Sequence, residues 1–97
     1  MKAVFITFNQ AHHHSIIQIM DRNNIRGYTY WEQVQGRGME HGEPHYGSHA
    51  WPTLNSAIIA MVEDHKVDTF LDLLHQIDTK TEMLGLRAFV WNVEKMV

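Results

Sequence analysis

Residues 55–77 read NSAIIAMVEDHKVDTFLDLLHQI, and their apolar pattern changes after Val62. The first part, Asn55–Val62, is a short apolar run bounded by polar residues, which predicts a strand. Asp64 is a predicted N-cap, and the apolar residues beyond it recur at the spacing of one buried helical face. These residues are Val67, Phe70, Leu71, Leu74 and Ile77. The stretch therefore predicts a strand followed by an amphipathic helix.

The N-terminal half predicts a strand, a helix and a second strand. Lys2–Phe8 is rich in β-branched and aromatic residues, which favours a first strand. Asn9 can cap a following helix, whose partial apolar stripe ends before Asn23-Asn24. The stripe consists of Ile16, Ile17 and Met20. Arg26–Gln35 then predicts a second strand, entered through Gly27.

The C-terminal residues complete the pattern. Gly85 follows the second predicted helix, and Leu86–Val93 predicts the last strand. The order strand, helix, strand, strand, helix, strand indicates an α+β, ferredoxin-like βαββαβ domain. We expect a four-stranded antiparallel sheet with both helices on one face and a long loop between strands 2 and 3.

The predicted strands are apolar on both faces, although the helices can cover only one. Within each strand, alternate side chains point to opposite faces of the sheet. The two sets are Ala3 and Phe5 against Val4, Ile6 and Phe8 in the first strand; Ala57, Ile59 and Met61 against Ile58, Ala60 and Val62 in the third; and Leu86, Ala88 and Val90 against Phe89, Trp91 and Val93 in the last. Exposing an apolar face forfeits about 25 cal/mol per Å², so we expect another subunit to cover it. The alternative is that short buried runs are simply apolar and the topology is different.

The loop from Gly36 to Leu54 separates the second and third predicted strands. It holds four of the six glycines, both prolines, Trp51 and three histidines. A loop of this length in a small domain is usually functional or disordered, and its aromatic and histidine content does not suit disorder. We interpret it as a binding loop.

Composition limits the classes of protein that the chain can represent. At 97 residues it is expected to be one domain, residues 1–97, and oligomerisation would help so small a core. The absence of cysteine suits a cytoplasmic protein, and no apolar run is long enough for a membrane span. The net charge of −3 is scattered, which argues against nucleic-acid binding.

Two segments resemble the nitrogen-regulatory PII signal-transduction family. Gly27-Tyr28-Thr29, leading to Val34-Gln35-Gly36-Arg37-Gly38, is similar to the G-x-T and V-x-G-x-G run that ends the family's second strand and opens its T-loop. Ala57–Asp64, onward to Val67, is similar to its strand, acidic turn and valine-bearing helix. The resemblance implies a trimer with sheets facing inward. It also implies ligand sites in the clefts between subunits, near Gly36, Arg37 and Gly38.

The chain departs from the family's pattern at several positions. Four residues separate Thr29 from Val34, one more than expected, so a bulge or a change of register is predicted. The family's T-G-x-x-G-D-G-K nucleotide loop corresponds here to residues 79–87, which keep one glycine and no aspartate. Because a backbone nest for an anion needs glycines, nucleotide binding is doubtful, although Arg87 can replace the lysine as a phosphate contact. Glu40 stands where the family has a glutamine that helps to hold metal and 2-oxoglutarate. No tyrosine, Tyr46 included, convincingly matches the family's uridylylated one.

The loop also carries candidate metal ligands. His41, His45 and His49 repeat every four residues, and Glu43 can add an oxygen ligand. Neutral imidazole with carboxylate suits zinc, copper or nickel, although the glycines and Pro44 make a continuous helix there improbable. The alternative is that these histidines lie on a solvated loop or contact a small molecule. Among them, His45 and His49 are the stronger candidates, because nearby prolines and Trp51 restrict the backbone.

The remaining histidines and tryptophans are more simply interpreted as structural. Trp51 can stack on a ligand ring or anchor the loop against a neighbouring subunit. His12-His13-His14, His65 and His75 are expected to face solvent on the helices. Trp31 and Trp91 are expected to pack in the sheet or between subunits.

No motif indicates an enzyme, since there is no cysteine nucleophile, no G-x-S-x-G elbow and no H-E-x-x-H pair. The leading hypothesis is a small PII-like regulator that binds a ligand at its loop and intersubunit cleft and signals to a partner protein. The alternatives are a histidine-based metal-binding or metal-tolerance protein and, more weakly, an enzyme with a histidine general base.

Overall fold

The computed structural model describes residues 1–36, 54–80 and 85–97 of the chain. Its elements, in chain order, are β1 (Lys2–Asn9), α1 (His13–Arg22), β2 (Tyr28–Val34), β3 (Asn55–Val62), α2 (Val67–Lys80) and β4 (Leu86–Asn92). Single 3-10 turns, Gln10–His12 and Asp64–Lys66, lead directly into the two helices. None of the helices in the described ranges is long and apolar enough to cross a membrane.

The four strands form one sheet in the order β2-β3-β1-β4, and every neighbouring pair is antiparallel. Strands 1 and 3 lie in the centre, and each half of the chain contributes one central and one edge strand. This topology confirms the predicted α+β, ferredoxin-like arrangement with its helices on one face. It also brings the ends of β1 and β2 and the beginnings of β3 and β4 to the same end of the sheet, which is called the loop edge of the sheet because the long loop leaves it there.

The core lies between the sheet and the two helices. The strand residues that point to the helices are Val4, Ile6 and Phe8 in β1, Ile58, Ala60 and Val62 in β3, and Leu86 in β4. They pack against Ile16 and Met20 of α1 and against Val67, Phe70 and Leu74 of α2. The predicted apolar stripes of both helices are therefore confirmed, and each fully buried large side chain contributes about 1.5–3 kcal/mol.

The opposite face of the sheet is also apolar, as the strand patterns predict. Phe5 of β1 lies between Ile59 of β3 and Phe89 of β4, so these three side chains form a row across the sheet. Phe89 is 54% exposed in the single chain, and Trp91 and Trp31 on the same face are 48% and 45% exposed. Large exposed apolar patches of this kind usually mark interaction surfaces.

The predicted bulge occurs in β2. The pairing of β2 with β3 shifts between Trp31 and Val34, so Glu32 and Gln33 have no regular partners there. A bulge bends a strand and increases its twist. Here it lies immediately before the long loop.

Several element ends differ from the predictions. β2 begins at Tyr28 rather than Arg26 and ends at Val34, while β4 ends at Asn92. Asp64 is not an N-cap, because it lies inside the 3-10 turn that Glu63 precedes. Its carboxylate instead accepts a hydrogen bond from the α-amino group of Met1 at 2.6 Å, which holds the pKa of Asp64 below its usual value.

The end of α1 is fixed by backbone geometry at Asn24. This residue has a φ of 55°, in the left-handed region. The amide of Ile25 donates to the carbonyl of Met20 at 2.8 Å, and the amide of Asn24 donates to the carbonyl of Asp21 at 3.2 Å. These bonds form a Schellman cap, which explains why the apolar pattern stops at Asn23-Asn24.

Candidate functional site

Three distant parts of the chain meet where β1 ends. The amide of Asn9 donates to the carbonyl of Gly85 at 3.3 Å, and the amide of Gln10 donates to the carbonyl of Leu54 at 2.9 Å. The side chain of Gln10 reaches the carbonyl of Glu32 in the β2 bulge at 2.6 Å. Residues 32–36 and 54–56, which flank the long loop, are called the loop base below. The Asn9-Gln10 junction thus contacts both sides of the loop base and the start of β4.

The junction owes its shape to local capping. The Asn9 side chain accepts a hydrogen bond from the amide of Ala11 at 2.8 Å, which starts the 3-10 turn. Asn9 is therefore a cap, as predicted, although it caps this turn rather than the α-helix itself. The turn directs Gln10 away from the strand and toward the bulge.

The bulge carbonyl of Glu32 accepts a second hydrogen bond. The hydroxyl of Ser56, which is fully buried in β3, donates to it at 2.6 Å. A carbonyl has two lone pairs, so Gln10 and Ser56 can both be satisfied. The loop base is consequently held from the neighbouring strand and from the β1–α1 junction.

The two glycines at this edge have different surroundings. Among the described residues, a Cβ added to Gly36 would meet nothing within 4 Å, so they leave the space beside it open. Gly85 has a φ of 77°, which L-residues with side chains rarely adopt. The first glycine therefore leaves room beside the loop base, and the second sets the direction in which β4 begins.

Arg87 is a predicted phosphate contact that the structure describes. Its guanidinium lies 3.9 Å from the carboxylate of Asp78 near the end of α2, and its side chain is 47% exposed. It also donates to the carbonyl of Leu86 at 3.2 Å. Because this ion pair is exposed, it contributes little to stability. The Arg87 guanidinium can therefore exchange Asp78 for an anion at little cost.

The histidine run at the start of α1 corrects a prediction. Only His14 is exposed, whereas His12 is buried and His13 is partly buried. The ring of His13 packs 4.5 Å from that of Tyr30 and 6.5 Å from that of Phe8. Because the 3-10 turn precedes the helix, the start of the run faces the sheet rather than solvent.

Burial gives His12 an unusual environment. Its Nε2 atom has no hydrogen-bond partner among residues 1–36, 54–80 and 85–97. Loss of solvation lowers the pKa of His12 below its usual 6.5, and the nearby carboxylate of Asp78 partly opposes this change. Burial thus favours the neutral imidazole.

The other predicted site residues lie outside the described residues. They are the ligand candidates Arg37, Gly38, Glu40 and Trp51 and the metal candidates His41, Glu43, His45 and His49. Within residues 1–36, 54–80 and 85–97, no group of three histidine, aspartate or glutamate residues is arranged to hold a metal ion. His65 and His75 are exposed, as predicted, and His65 lies in the 3-10 turn before α2.

Sequence reasoning did not identify Gln10 and Ser56 as parts of the loop base. A single glutamine and a single serine follow no periodicity, and their common partner is a backbone carbonyl. The signal that was available is the extra residue in β2, which predicts a bulge and hence a carbonyl in need of a donor.

Comparison with known families places this geometry in context. The family model described as Nitrogen regulatory protein P-II matches residues 1–97. A comparison with curated protein sequences found no significant match.

Several solved structures share the fold. CPII of Thiomonas intermedia, a nitrogen regulatory PII-like protein bound to ADP, AMP and bicarbonate, superposes with a TM-score of 0.75 at 24% identity, over 93% of this chain and 82% of that chain. Its apo form gives a TM-score of 0.70 at 21% identity, over 93% and 85%. A PII-like signalling protein of Thermus thermophilus gives 0.67 at 21% identity, over 95% and 85%. At these identities the likeness shows a common fold.

Proposed function

Because the chain belongs to the nitrogen regulatory protein P-II family, we propose that it is a small cytoplasmic sensor that binds a ligand and signals to a partner protein. The ligand sites would lie in clefts between subunits, beside the loop base. The observation that carries this proposal is the meeting of both ends of the long loop with the start of β4 at one edge of the sheet. We propose no catalytic residue.

A trimer is the assembly that this proposal requires. The face of the sheet without helices is apolar and carries three aromatic side chains that are about half exposed, Trp31, Phe89 and Trp91. Packing the sheets of three chains against each other would bury this face. It would also place the edge strands of each sheet at the boundaries between subunits, which are called seams below. Each seam would then bring the loop base of one chain beside another subunit.

The proposed ligand is a small anion. Arg87 supplies an exposed guanidinium at the sheet edge, and the open space beside Gly36 would admit a ligand close to the backbone. Arg37, Gly38, Glu40 and Trp51 are proposed to complete the site. The T. intermedia protein was solved with ADP, AMP and bicarbonate, so these anions are the first probes. Adenine nucleotides face the objection that residues 79–87 keep a single glycine.

Calorimetric titration of the protein with ADP, AMP and bicarbonate, each in turn, tests the proposal. We expect at least one of these anions to bind and Arg87→Gln to weaken it about tenfold, which corresponds to about 1.4 kcal/mol. Arg26→Gln is the matched control, because Arg26 is an exposed arginine at the opposite edge of the sheet. Failure of all three anions to bind, or equal effects of the two substitutions, would contradict the proposed site.

One sequence observation favours a second function. His41, His45 and His49 with Glu43 form a donor set that suits zinc, copper or nickel. In this alternative the chain is a metal-binding or metal-tolerance protein. Titration with each metal decides it, since His45→Ala combined with His49→Ala should abolish tight binding. A double variant at the exposed residues His65 and His75 is the control, and equal affinity of both double variants would exclude the loop histidines.

A further inference from the structure

Gln10 bonds to both sides of the loop base. Its backbone amide donates to the carbonyl of Leu54, on one side of the loop base. Its side chain donates to the carbonyl of Glu32, on the other side. One residue therefore contacts both flanks of the long loop.

The neighbouring residue extends this connection to the start of β4. The amide of Asn9 donates to the carbonyl of Gly85, two residues before Arg87. Residues 32, 54 and 85 are far apart in sequence, yet all three meet the two-residue junction that follows β1. Movement of the loop base relative to Arg87 must therefore stretch a hydrogen bond of Asn9 or Gln10.

The side chain of Gln10 is not needed to satisfy the bulge. The hydroxyl of Ser56 donates to the same Glu32 carbonyl at the same distance, 2.6 Å. Ser56 is fully buried and belongs to β3, the strand that already pairs with β2. Removing Ser56 would cost internal stability, whereas removing the Gln10 amide group would uncouple the bulge from the junction and leave the carbonyl with a partner.

We infer that Gln10 is a positioning residue, which fixes the loop base relative to Gly85 and Arg87 and thereby sets the affinity of the anion site between them. The inference rests on the proposed function for its ligand. Its structural part, the coupling of the loop base to the start of β4 through Gln10, does not depend on any ligand.

A comparison of Gln10→Ala with Ser56→Ala separates positioning from stability. Both substitutions remove one donor to the same carbonyl. We expect Gln10→Ala to weaken binding about tenfold, which corresponds to about 1.4 kcal/mol, for whichever of the three anions the wild-type protein binds. The change in thermal midpoint should be small. Ser56→Ala should lower the thermal midpoint more and change affinity less than twofold.

Gln10→Met provides the matched control, because methionine is similar in length and uncharged but has no donor. Its affinity should fall as far as that of Gln10→Ala. Unchanged affinity in Gln10→Ala would overturn the inference, as would losses of affinity that simply follow the thermal midpoints of the variants.

Residue-resolved amide exchange distinguishes failure of the inference from failure of the proposed function. If the wild-type protein binds none of ADP, AMP and bicarbonate, the proposed function fails. Amide exchange at residues 9 and 10 then still tests whether Gln10 couples the loop base to the start of β4. Faster exchange of both amides in Gln10→Ala, but not in Ser56→Ala, supports the coupling. Protection of both amides at the wild-type level in Gln10→Ala overturns it.

Discussion

At the scale of single residues, the backbone at Gly85 explains why the chain keeps a glycine there. Its φ of 77° lies in the left-handed region, where a Cβ is strained. We expect Gly85→Ala to lower the free energy of unfolding by about 1–2 kcal/mol. Chemical denaturation measures this difference.

Gly36→Ala is the matched substitution at the same edge of the sheet. Because the space around Gly36 is open, its effect on the free energy of unfolding should stay within about 0.5 kcal/mol. Equal losses in the two variants would show that the positive φ at Gly85 carries no cost.

His12 should make stability depend on pH. Its pKa in the folded chain is lowered by burial, so below pH 6.5 the unfolded chain binds more protons than the folded one. Stability is therefore fully present above pH 6.5 and falls as the pH decreases through the folded pKa. Thermal midpoints between pH 7.5 and pH 5 should show this loss.

The substitution His12→Leu should flatten that pH dependence, because leucine fills the buried site without a titrating group. His14→Gln, at the exposed end of the same run, should keep the wild-type slope. An unchanged slope in His12→Leu would mean that another group causes the acid sensitivity.

At the scale of elements, apolar periodicity correctly predicted the strands and helix faces whose position depends only on core packing. Strand β3 and the buried face of α2 follow from the spacing of apolar residues, and the structure confirms both. The misassigned details depend on other forces. His12 is buried because a 3-10 turn rotates the start of α1 toward the sheet, and Asp64 pairs with the amino group of Met1 rather than with its own helix.

The helix face of α2 gives a prediction with a built-in control. Leu74 is 1% exposed in the core, whereas the adjacent Leu73 is only partly buried and does not join it. Leu74→Ala should cost about 2–5 kcal/mol of unfolding free energy, and Leu73→Ala clearly less. Denaturant titration of both variants tests this difference, and similar costs would contradict the orientation of the helix.

At the scale of the whole molecule, the sequence indicated an end of the sheet for the ligand site, which stays a prediction, but not how that end is built. Loop composition and the glycine motifs pointed to the end of the sheet where β2 stops. Arg87 lies near that same end, at the start of β4, although β2 and β4 are opposite edge strands. The link through Gln10 could not be predicted, because it joins backbone carbonyls that only the folded topology brings together.

The proposed trimer would form through the apolar sheet face. Phe89 is the most exposed aromatic residue on that face, at 54%. Placing a charge there with Phe89→Asp should dissociate the assembly into single chains, because a buried unpaired carboxylate is strongly unfavourable. Sedimentation equilibrium measures the change.

Tyr28→Asp is the control, since Tyr28 is 44% exposed but lies on the helix side of the sheet, opposite Ala60. This variant should keep the wild-type assembly. Dissociation by Tyr28→Asp, with Phe89→Asp unaffected, would place the interface on the other side of the molecule.

Native mass spectrometry of the wild-type protein in the presence of ADP, AMP or bicarbonate tests the central claim most directly. The claim is that ligand sites form at the boundaries between three chains. We therefore predict an assembly of three chains that takes up at least one of these anions, in up to three copies. Single chains, or three-chain assemblies that take up none of the three anions, would contradict it.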